Sequence, residues 1–194
     1  MDRPDFHFPP SINKLKRGGP AVTIPKDAGL VIGYTGIGSE SRVLEIGSGS
    51  GFMSVQLGRI VKEIVSYEKR EEFLKLAQTN VKRAELTNVT FKHRDVFLQP
   101  IDEQDASFDM VFVDIADAEK IVPAIHAALK KDGYLAAHCL QSEQAKALHL
   151  AAEKIFSEVF TIEAIVREYD VRDFGFRPKH FGLMHTAYLV FARK

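Results

Sequence analysis

A glycine-rich segment with an acidic residue in front of it is the part of the sequence best suited to bind a ligand. Its residues are Val43-Leu44-Glu45-Ile46-Gly47-Ser48-Gly49-Ser50-Gly51, and the apolar run that it begins with is typical of a buried strand. Glycines at this spacing let the backbone turn sharply and approach a ligand closely. We therefore predict a binding turn formed by Glu45, Gly47, Ser48, Gly49 and Gly51.

The acid in this turn favours one class of ligand over another. Dinucleotide sites use G-x-G-x-x-G and hold a pyrophosphate at the helix N-terminus, whereas the pattern here is E-x-G-x-G-x-G. S-adenosylmethionine (SAM) has no phosphate, but it has an amino-acid head whose ammonium group Glu45 can help to hold, directly or through water. The alternative is a tight strand–helix turn that binds no ligand.

Three further acids follow predicted strands, at the sheet edge where ligands bind in open α/β folds. Glu68 suits a ribose diol, because a carboxylate accepts hydrogen bonds from both hydroxyls. Asp95 could accept from the adenine amino group, with Val96 or Phe97 beside the ring. Asp114 would lie next to the methyl group of SAM and is the candidate catalytic residue. The alternatives are solvated acids for Glu68 and Asp95, and a helix N-cap for Asp114.

Alternating strands and helices are expected to position these residues. The patterns predict strands over 42–46, 64–67, 89–92, 110–113 and 134–138, and helices over 27–33, 52–61, 70–85, 118–130 and 142–156. Such alternation is typical of a doubly wound, mostly parallel α/β sheet. No helix separates the last two predicted strands, 160–169 and 187–192, so we expect an antiparallel pair at the sheet edge, with a loop over 173–178.

Composition indicates one globular domain preceded by an arm. The 194 residues are 45% hydrophobic, with 26 basic and 26 acidic side chains, which allows a sizeable core but gives no global attraction for nucleic acid. Residues 1–23 contain four prolines and are expected to be an extended arm before a domain over 24–194.

The sequence also narrows the cellular setting. A single cysteine excludes an internal disulfide, and no cluster of cysteine or histidine indicates a metal. No apolar run is long enough to span a membrane. The polar, acidic start does not resemble a signal peptide, so we expect a cytoplasmic protein.

Three segments resemble the archaeal and bacterial tRNA (adenine-N1)-methyltransferases that modify adenine 58, and in some members also adenine 57. These are Arg17–Pro20 with Ile24–Ala28, then Arg42–Gly51, and a tail made of Arg167–Arg172, Arg177-Pro178 and His185–Val190. The resemblance covers residues 17–194. It implies a Rossmann-like class I SAM-dependent methyltransferase, with a mostly parallel seven-stranded sheet and an antiparallel last strand.

The resemblance implies site residues and partners as well. Asp114 matches the catalytic acid of the family, SAM is the cofactor, tRNA is the substrate and the enzyme is a tetramer. Candidate substrate-binding residues are Ile24, Lys26, Arg172, Arg177 and His185. Members of the family usually carry an N-terminal barrel-like domain that helps to hold tRNA. Only about twenty residues precede the matched segment here, so a separate RNA-binding partner is one expectation.

Two other functions fit the same residues. One is a small-molecule methyltransferase that resembles the decarboxylating precorrin methyltransferases, which the short format and the neutral charge favour. The other is a non-catalytic subunit with the SAM fold, which binds a partner or RNA. The intact turn with Glu45, Glu68 and Asp114 argues against the non-catalytic alternative.

Overall fold

A central sheet positions the predicted cofactor-binding residues and Asp114 on its strands or in the loops that follow them. In the computed structural model, which describes residues 7–19, 21–180 and 185–194, the chain forms nine strands. They are β1 (Arg42–Ile46), β2 (Glu63–Glu68), β3 (Val89–His93), β4 (Phe108–Val113), β5 (Leu129–Cys139), β6 (Glu158–Ile162), β7 (Tyr169–Arg172), β8 (Gly175–Pro178) and β9 (Tyr188–Arg193).

Seven of these strands form one mixed sheet in the order β3-β2-β1-β4-β5-β9-β6. Strands β1 to β5 run parallel, and β9 inserts between β5 and β6, antiparallel to both. The predicted mostly parallel, seven-stranded sheet with an antiparallel last strand is therefore confirmed. Because parallel strands end at one edge, the carboxyl ends of β1, β2 and β4 lie side by side.

Helices cover both faces of this sheet. They are α1 (Pro10–Asn13), α2 (Pro25–Thr35), α3 (Phe52–Gly58), α4 (Glu71–Arg83), a 3₁₀ turn (Ala118–Ile121), α5 (Val122–Ala128) and α6 (Ser142–Ala152). Successive residues of β1 point to opposite faces: Val43 packs with α2 and α3, whereas Leu44 packs with α5 and α6. This alternation builds an apolar core on each side of the sheet. No helix in the described ranges has the length and apolar character to span a membrane.

Two sequence predictions in the second half of the chain have wrong boundaries. The helix expected over 118–130 is a 3₁₀ turn followed by α5, and β5 begins at Leu129, five residues before the predicted strand. Leu129 is fully buried opposite Phe108, and a register shift follows, so a bulge at the Lys-Lys-Asp-Gly segment extends the strand where the composition indicated a turn.

The region after β6 differs from its prediction as well. Strand β6 ends at Ile162, and the loop expected over 173–178 contains β8, which pairs with β7 in a separate two-stranded sheet. Tyr169 stacks on Phe176 at 4.8 Å between ring centroids and stabilises this hairpin. Its strands are short and exposed, so they lack the buried apolar pattern that predicts strands.

Part of the expected N-terminal arm is packed. Ile12 and Leu15 are buried, and they pack in one apolar cluster with Phe52 and Val55 of α3. Residues 1–6 and 20 of that segment lie outside the described residues. The boundary between the arm and the domain at residue 23 stays a prediction.

One buried side chain fastens this segment to the glycine turn. Asn80 of α4 accepts from the Lys16 N–H at 2.9 Å and donates to the Lys16 carbonyl at 2.7 Å. Its amide also donates to the Ser50 carbonyl at 2.8 Å. Asn80 thereby holds the segment around Lys16 beside the turn at the end of β1.

We expect Asn80→Ala to lower the free energy of unfolding by about 2–4 kcal/mol, because three backbone groups lose a buried partner. Urea denaturation measures this loss, and limited proteolysis should show earlier cleavage in residues 7–19. Asn13→Ala is the control, since Asn13 is exposed. Equal stability of the two variants would contradict the proposed fastening.

Candidate active site

The glycine turn after β1 has the backbone geometry that its sequence predicts. Gly47, Gly49 and Gly51 all have positive φ, at 92°, 50° and 78°. A Cβ on Gly47 would lie 2.5 Å from the Asp114 carbonyl oxygen, and one on Gly51 would lie 3.0 Å from Ala77. At Gly49, in contrast, a Cβ would meet no described atom within 4 Å. The turn is therefore tightly packed at its two ends and open at its middle, where a ligand can approach.

Glu68 at the end of β2 faces this turn. Its carboxylate is nearly enclosed and accepts from the Gly49 N–H at 2.8 Å through Oε2. Oε1 accepts from the backbone N–H of Arg70 at 3.0 Å and from its Nε at 3.1 Å. The predicted acid thus lies beside the open part of the turn, and Oε2, which accepts one bond, keeps lone-pair capacity for a ligand hydroxyl.

Glu45 lies beneath the turn with no solvent exposure. The hydroxyls of Ser54 and Ser66 both donate to its Oε2 at 2.5 Å, which ties β1 to α3 and β2. Burial raises the pKa of Glu45 to about 7; the two serine bonds oppose the rise, and the charges of Asp114 and Glu68 add to it. Because the Glu45 carboxylate is enclosed beneath the turn, it could reach a ligand ammonium only through an enclosed water or by way of the groups of the turn. The position of Glu45 therefore favours support of the turn over direct contact with the ligand.

The raised pKa predicts a pH-dependent stability. A carboxyl group whose pKa is higher folded than unfolded destabilises the fold progressively as pH rises from its usual 4.5 to about 7. We expect Glu45→Gln to remove up to about 3 kcal/mol of this loss. Thermal unfolding of the ligand-free protein at about pH 5.5 and about pH 8 measures it.

The control for this experiment is Glu72→Gln on the exposed face of α4. It should keep the pH dependence of the wild type. If Glu45→Gln and the wild type lost equal stability between the two pH values, the assigned pKa of Glu45 would be wrong.

Asp95 and Val96 occupy the loop after β3. Asp95 Oδ1 accepts from the Phe97 N–H at 3.0 Å, and its carbonyl accepts from the N–H groups of Leu98 and Gln99. Val96 packs against the core on the α5–α6 face of the sheet. The carboxylate therefore shapes its own loop and has a second oxygen for a ligand.

Asp114 follows β4 directly and lies at the centre of this edge. Its N–H donates to the Ile46 carbonyl at 2.9 Å, and its side chain is 32% exposed. The N-cap position of the following 3₁₀ turn is taken by Asp117, so Asp114 does not cap that turn. The backbone carbonyl of Asp114 packs against the turn at Gly47, while its accessible carboxylate has no helical role, which favours a part in chemistry.

The candidate substrate residues near the N- and C-terminal segments meet at the same edge. Lys26 Nζ donates to Asp27 Oδ1 at 2.7 Å, the Ala164 carbonyl at 2.6 Å and Thr186 Oγ1 at 2.7 Å. His185 Nδ1 lies 2.6 Å from Glu163 Oε1. Lys26 thus ties α2 to two distant segments, and its ammonium group is fully engaged by acceptors.

The remaining substrate candidates lie in different surroundings. Ile24 is half-buried at the N-cap of α2, where its carbonyl accepts from Asp27 and Ala28. Arg172 and Arg177 belong to the β7–β8 hairpin, where Arg172 Nη2 lies 3.5 Å from Asp170 Oδ2 and Arg177 pairs with Asp170 across the strands. The hairpin is a sheet of its own, so these two arginines are not on the sheet that carries Asp114.

Sequence reasoning missed three kinds of residue that the structure places at this edge. They are His138 at the end of β5, Asn80 of α4, and the two serines that bind Glu45. Only His138 had a readable signal: the predicted strands end at 113 and 138, and neighbouring parallel strands bring the residues at their ends together. In the described parts of the chain, no group of three His, Cys, Asp or Glu is arranged to hold a metal ion.

This fold and turn define a class of protein. An open parallel sheet with an antiparallel last strand, an E-x-G-x-G-x-G turn after β1 and acids after β2 and β4 are the features of a Rossmann-like methyltransferase domain. The family model described as "Methyltransferase domain" matches residues 37–170 of the chain.

Known relatives narrow the class. The tRNA (adenine(57)-N(1)/adenine(58)-N(1))-methyltransferase of Methanocaldococcus jannaschii is 30% identical, and the match covers 95% of this chain and 76% of that protein. The crystal structure of a tRNA (m1A58) methyltransferase from Aquifex aeolicus superposes with a TM-score of 0.88 at 29% identity, over 99% of this chain and 76% of that one. The chain belongs to the tRNA (adenine-N1)-methyltransferase family, as the three sequence segments predicted.

A precorrin-6y C5,15-methyltransferase from Geobacter metallireducens is similar in fold alone. It superposes with a TM-score of 0.76 at 18% identity, and the match covers 94% of this chain and 96% of that one. The small-molecule alternative therefore shares the architecture, while the sequence relationship is with the tRNA enzymes.

Proposed function

We propose that this protein transfers the methyl group of SAM to N1 of an adenine in tRNA, at position 58 and, as in some members of the family, at 57. The observation that carries the proposal is the placement of Asp114, whose partly exposed carboxylate follows β4 directly and whose backbone packs against the glycine turn at Gly47. A base that enters this edge of the sheet meets the carboxylate and the cofactor pocket together. The identity of the substrate is inferred from the family to which the chain belongs.

Different residues at this edge of the sheet would bind different parts of SAM. The turn at Gly47, Ser48, Gly49 and Gly51 would receive the amino-acid head, with Glu45 supporting it from below. Glu68 would accept from the ribose hydroxyls, while Asp95 and Val96 would border the adenine ring. When bound, SAM supplies an electrophilic methyl group on its sulfonium centre.

Asp114 would orient the target base. Adenine N1 is itself the nucleophile, so the protein needs no base to activate it. The Asp114 carboxylate accepts from the exocyclic amino group, which aligns N1 with the methyl group. The same negative charge stabilises the positive charge that the base acquires on methylation. Both effects act in the transition state and raise the rate of transfer.

The substrate-binding residues would contribute in two ways. Lys26 would shape the entrance with His185 and Ile24, because its ammonium group is held by three acceptors. Arg172 and Arg177, on the exposed hairpin, would contact phosphates of the tRNA outside the pocket. A neutral chain needs such local positive groups to bind RNA.

We propose further that the protein is a cytoplasmic homo-oligomer, with the tetramer of the resembled family. Val171, Phe174 and Phe176 on the hairpin are 74%, 86% and 68% exposed, and such a cluster of apolar side chains favours burial against another chain. We also propose an RNA-binding partner, because the neutral net charge gives the chain no global attraction for tRNA.

The test is methyl transfer from radiolabelled SAM to unmodified tRNA transcripts, with a transcript that carries guanine in place of adenine 58 assayed beside the first. We expect label on the transcript with adenine 58 and strongly reduced label on the transcript with guanine at that position. SAM binding by calorimetry, with no label on either RNA, would reject tRNA methylation by this chain alone and favour the small-molecule reaction.

A further inference from the structure

His138 is a buried titratable residue that the proposed transfer does not use. It precedes the last residue of β5, and its side chain is only 4% exposed. Strands β4 and β5 pair in parallel with Val113 opposite Ala137, so the next residues along, Asp114 and His138, lie side by side at the ends of these strands. The position of the imidazole is therefore set by the sheet itself.

The imidazole faces the candidate catalytic carboxylate. His138 Nδ1 lies 3.5 Å from Asp114 Oδ1, which is ion-pair distance but long for a well-formed N–H···O bond. Nδ1 is buried and has no hydrogen-bond partner among the described residues. A buried ring nitrogen without a partner is costly, and a small approach of the Asp114 carboxylate would satisfy it.

Charged groups from two other elements face the same ring. They are Asp114 after β4, and Asp27 and Lys26 in the first turn of α2. The thiol of Cys139, the next residue on β5, is buried. Burial lowers the pKa of His138, but the neighbouring carboxylates of Asp114 and Asp27 outweigh burial and the charge of Lys26, and the net direction is upward. Two carboxylates against one ammonium group thus favour a protonated ring.

We propose that His138 is a positioning residue for methyl transfer, whose buried imidazole holds the Asp114 carboxylate in the orientation that meets the target base. The inference rests on the proposed function for its consequence in catalysis, but the His138–Asp114 pair itself does not depend on the substrate. A cationic ring donates from Nδ1 to Oδ1 and leaves Oδ2 of Asp114 to accept from the base.

The pair also gives the reaction a pH dependence of defined sign. As pH rises through the raised pKa of His138, the ring loses its proton and the ion pair weakens, so the restraint on Asp114 declines. Below that pKa the restraint is complete. The buried position shields the pair from solvent, so added salt should change it little.

The first test is a proton NMR titration of the 194-residue chain. The chain has seven histidines, and the His138 signal is assigned by its loss in His138→Asn. We expect the pKa of His138 to lie above its usual 6.5 in the wild type and to fall in Asp114→Asn. An unchanged pKa in Asp114→Asn would overturn the proposal, whatever substrate the enzyme uses.

The second test separates positioning from folding. His138→Ala should lower kcat about 30-fold and leave KM for tRNA and the Kd of SAM within about threefold. His138→Asn, whose amide places a donor near the position of Nδ1, should recover most of kcat and lose the pH dependence of the imidazole. Wild-type kcat in His138→Ala, or the wild-type pH profile in His138→Asn, would overturn the proposal.

The two tests distinguish failure of the inference from failure of the proposed function. If the pKa of His138 falls in Asp114→Asn but no tRNA is methylated, the tRNA substrate is rejected and the His138–Asp114 pair is retained. If tRNA is methylated but the pKa of His138 is unchanged in Asp114→Asn, the substrate is retained and the pair is rejected.

Discussion

Asp114→Asn should reduce kcat for tRNA methylation by about 100- to 1,000-fold while the protein binds SAM as tightly as the wild type. The amide keeps the size of the carboxylate but loses its charge and presents a donor to the amino group of the base. The backbone of residue 114 still bonds the Ile46 carbonyl, so the edge of the sheet should stay intact. Single-turnover transfer of labelled methyl, with calorimetry for SAM, measures both quantities.

Asp117→Asn is the matched control. Asp117 lies in the same loop with an exposed side chain and a φ of 59°, a conformation that asparagine tolerates well. It should methylate at the wild-type rate. Glu68→Gln should have the opposite effect from Asp114→Asn. Loss of the charge beside Gly49 should weaken SAM binding, while the catalytic carboxylate of Asp114 is kept. If Asp114→Asn retained full activity, Asp114 would not be the catalytic residue.

Gly47→Ala should abolish measurable SAM binding and lower the free energy of unfolding by about 3–5 kcal/mol. A Cβ at this position would lie 2.5 Å from the Asp114 carbonyl oxygen and 2.6 Å from Ile115 Cγ2, and the φ of 92° is itself unfavourable for alanine. Relief of the clash would separate the turn from the end of β4. Calorimetry with SAM and urea denaturation measure the two effects.

Gly29→Ala shows whether the effect is specific to this position. Gly29 lies inside α2, is exposed, and has open space where a Cβ would stand. Alanine there should stabilise the protein by about 0.5–1 kcal/mol and leave SAM binding unchanged. Wild-type affinity in Gly47→Ala would show that the turn does not require contact with the end of β4.

The parts of the site that follow buried strands could be predicted from local patterns. Strand β1 was predicted with the boundaries that the structure shows, and β2 and β4 differed by two residues or fewer at each end. Continuous apolar runs mark such strands, and the polar residue after each run lies at the ligand-binding edge. Glu68 and Asp114 were found in this way.

Other parts of the site depend on contacts between residues far apart in the chain. The sequence around Glu45 does not show that Ser54 and Ser66 enclose its carboxylate, because this follows from the packing of α3 and β2 on β1. Lys26 looked available for a substrate, yet Thr186, 160 residues later, holds it. The β7–β8 hairpin was missed because its exposed strands carry no hydrophobic period.

The position of β9 has a consequence for how the protein folds. This strand is the last in the main sheet along the chain, yet it lies between β5 and β6 and pairs with both. Until residues 188–193 arrive, β5 and β6 each present an unpaired edge whose hydrogen-bonding groups can capture another chain. Closure of the sheet therefore depends on contacts of long sequence separation, which form slowly. Early intermediates should aggregate readily, and a nascent chain should need protection until β9 is in place.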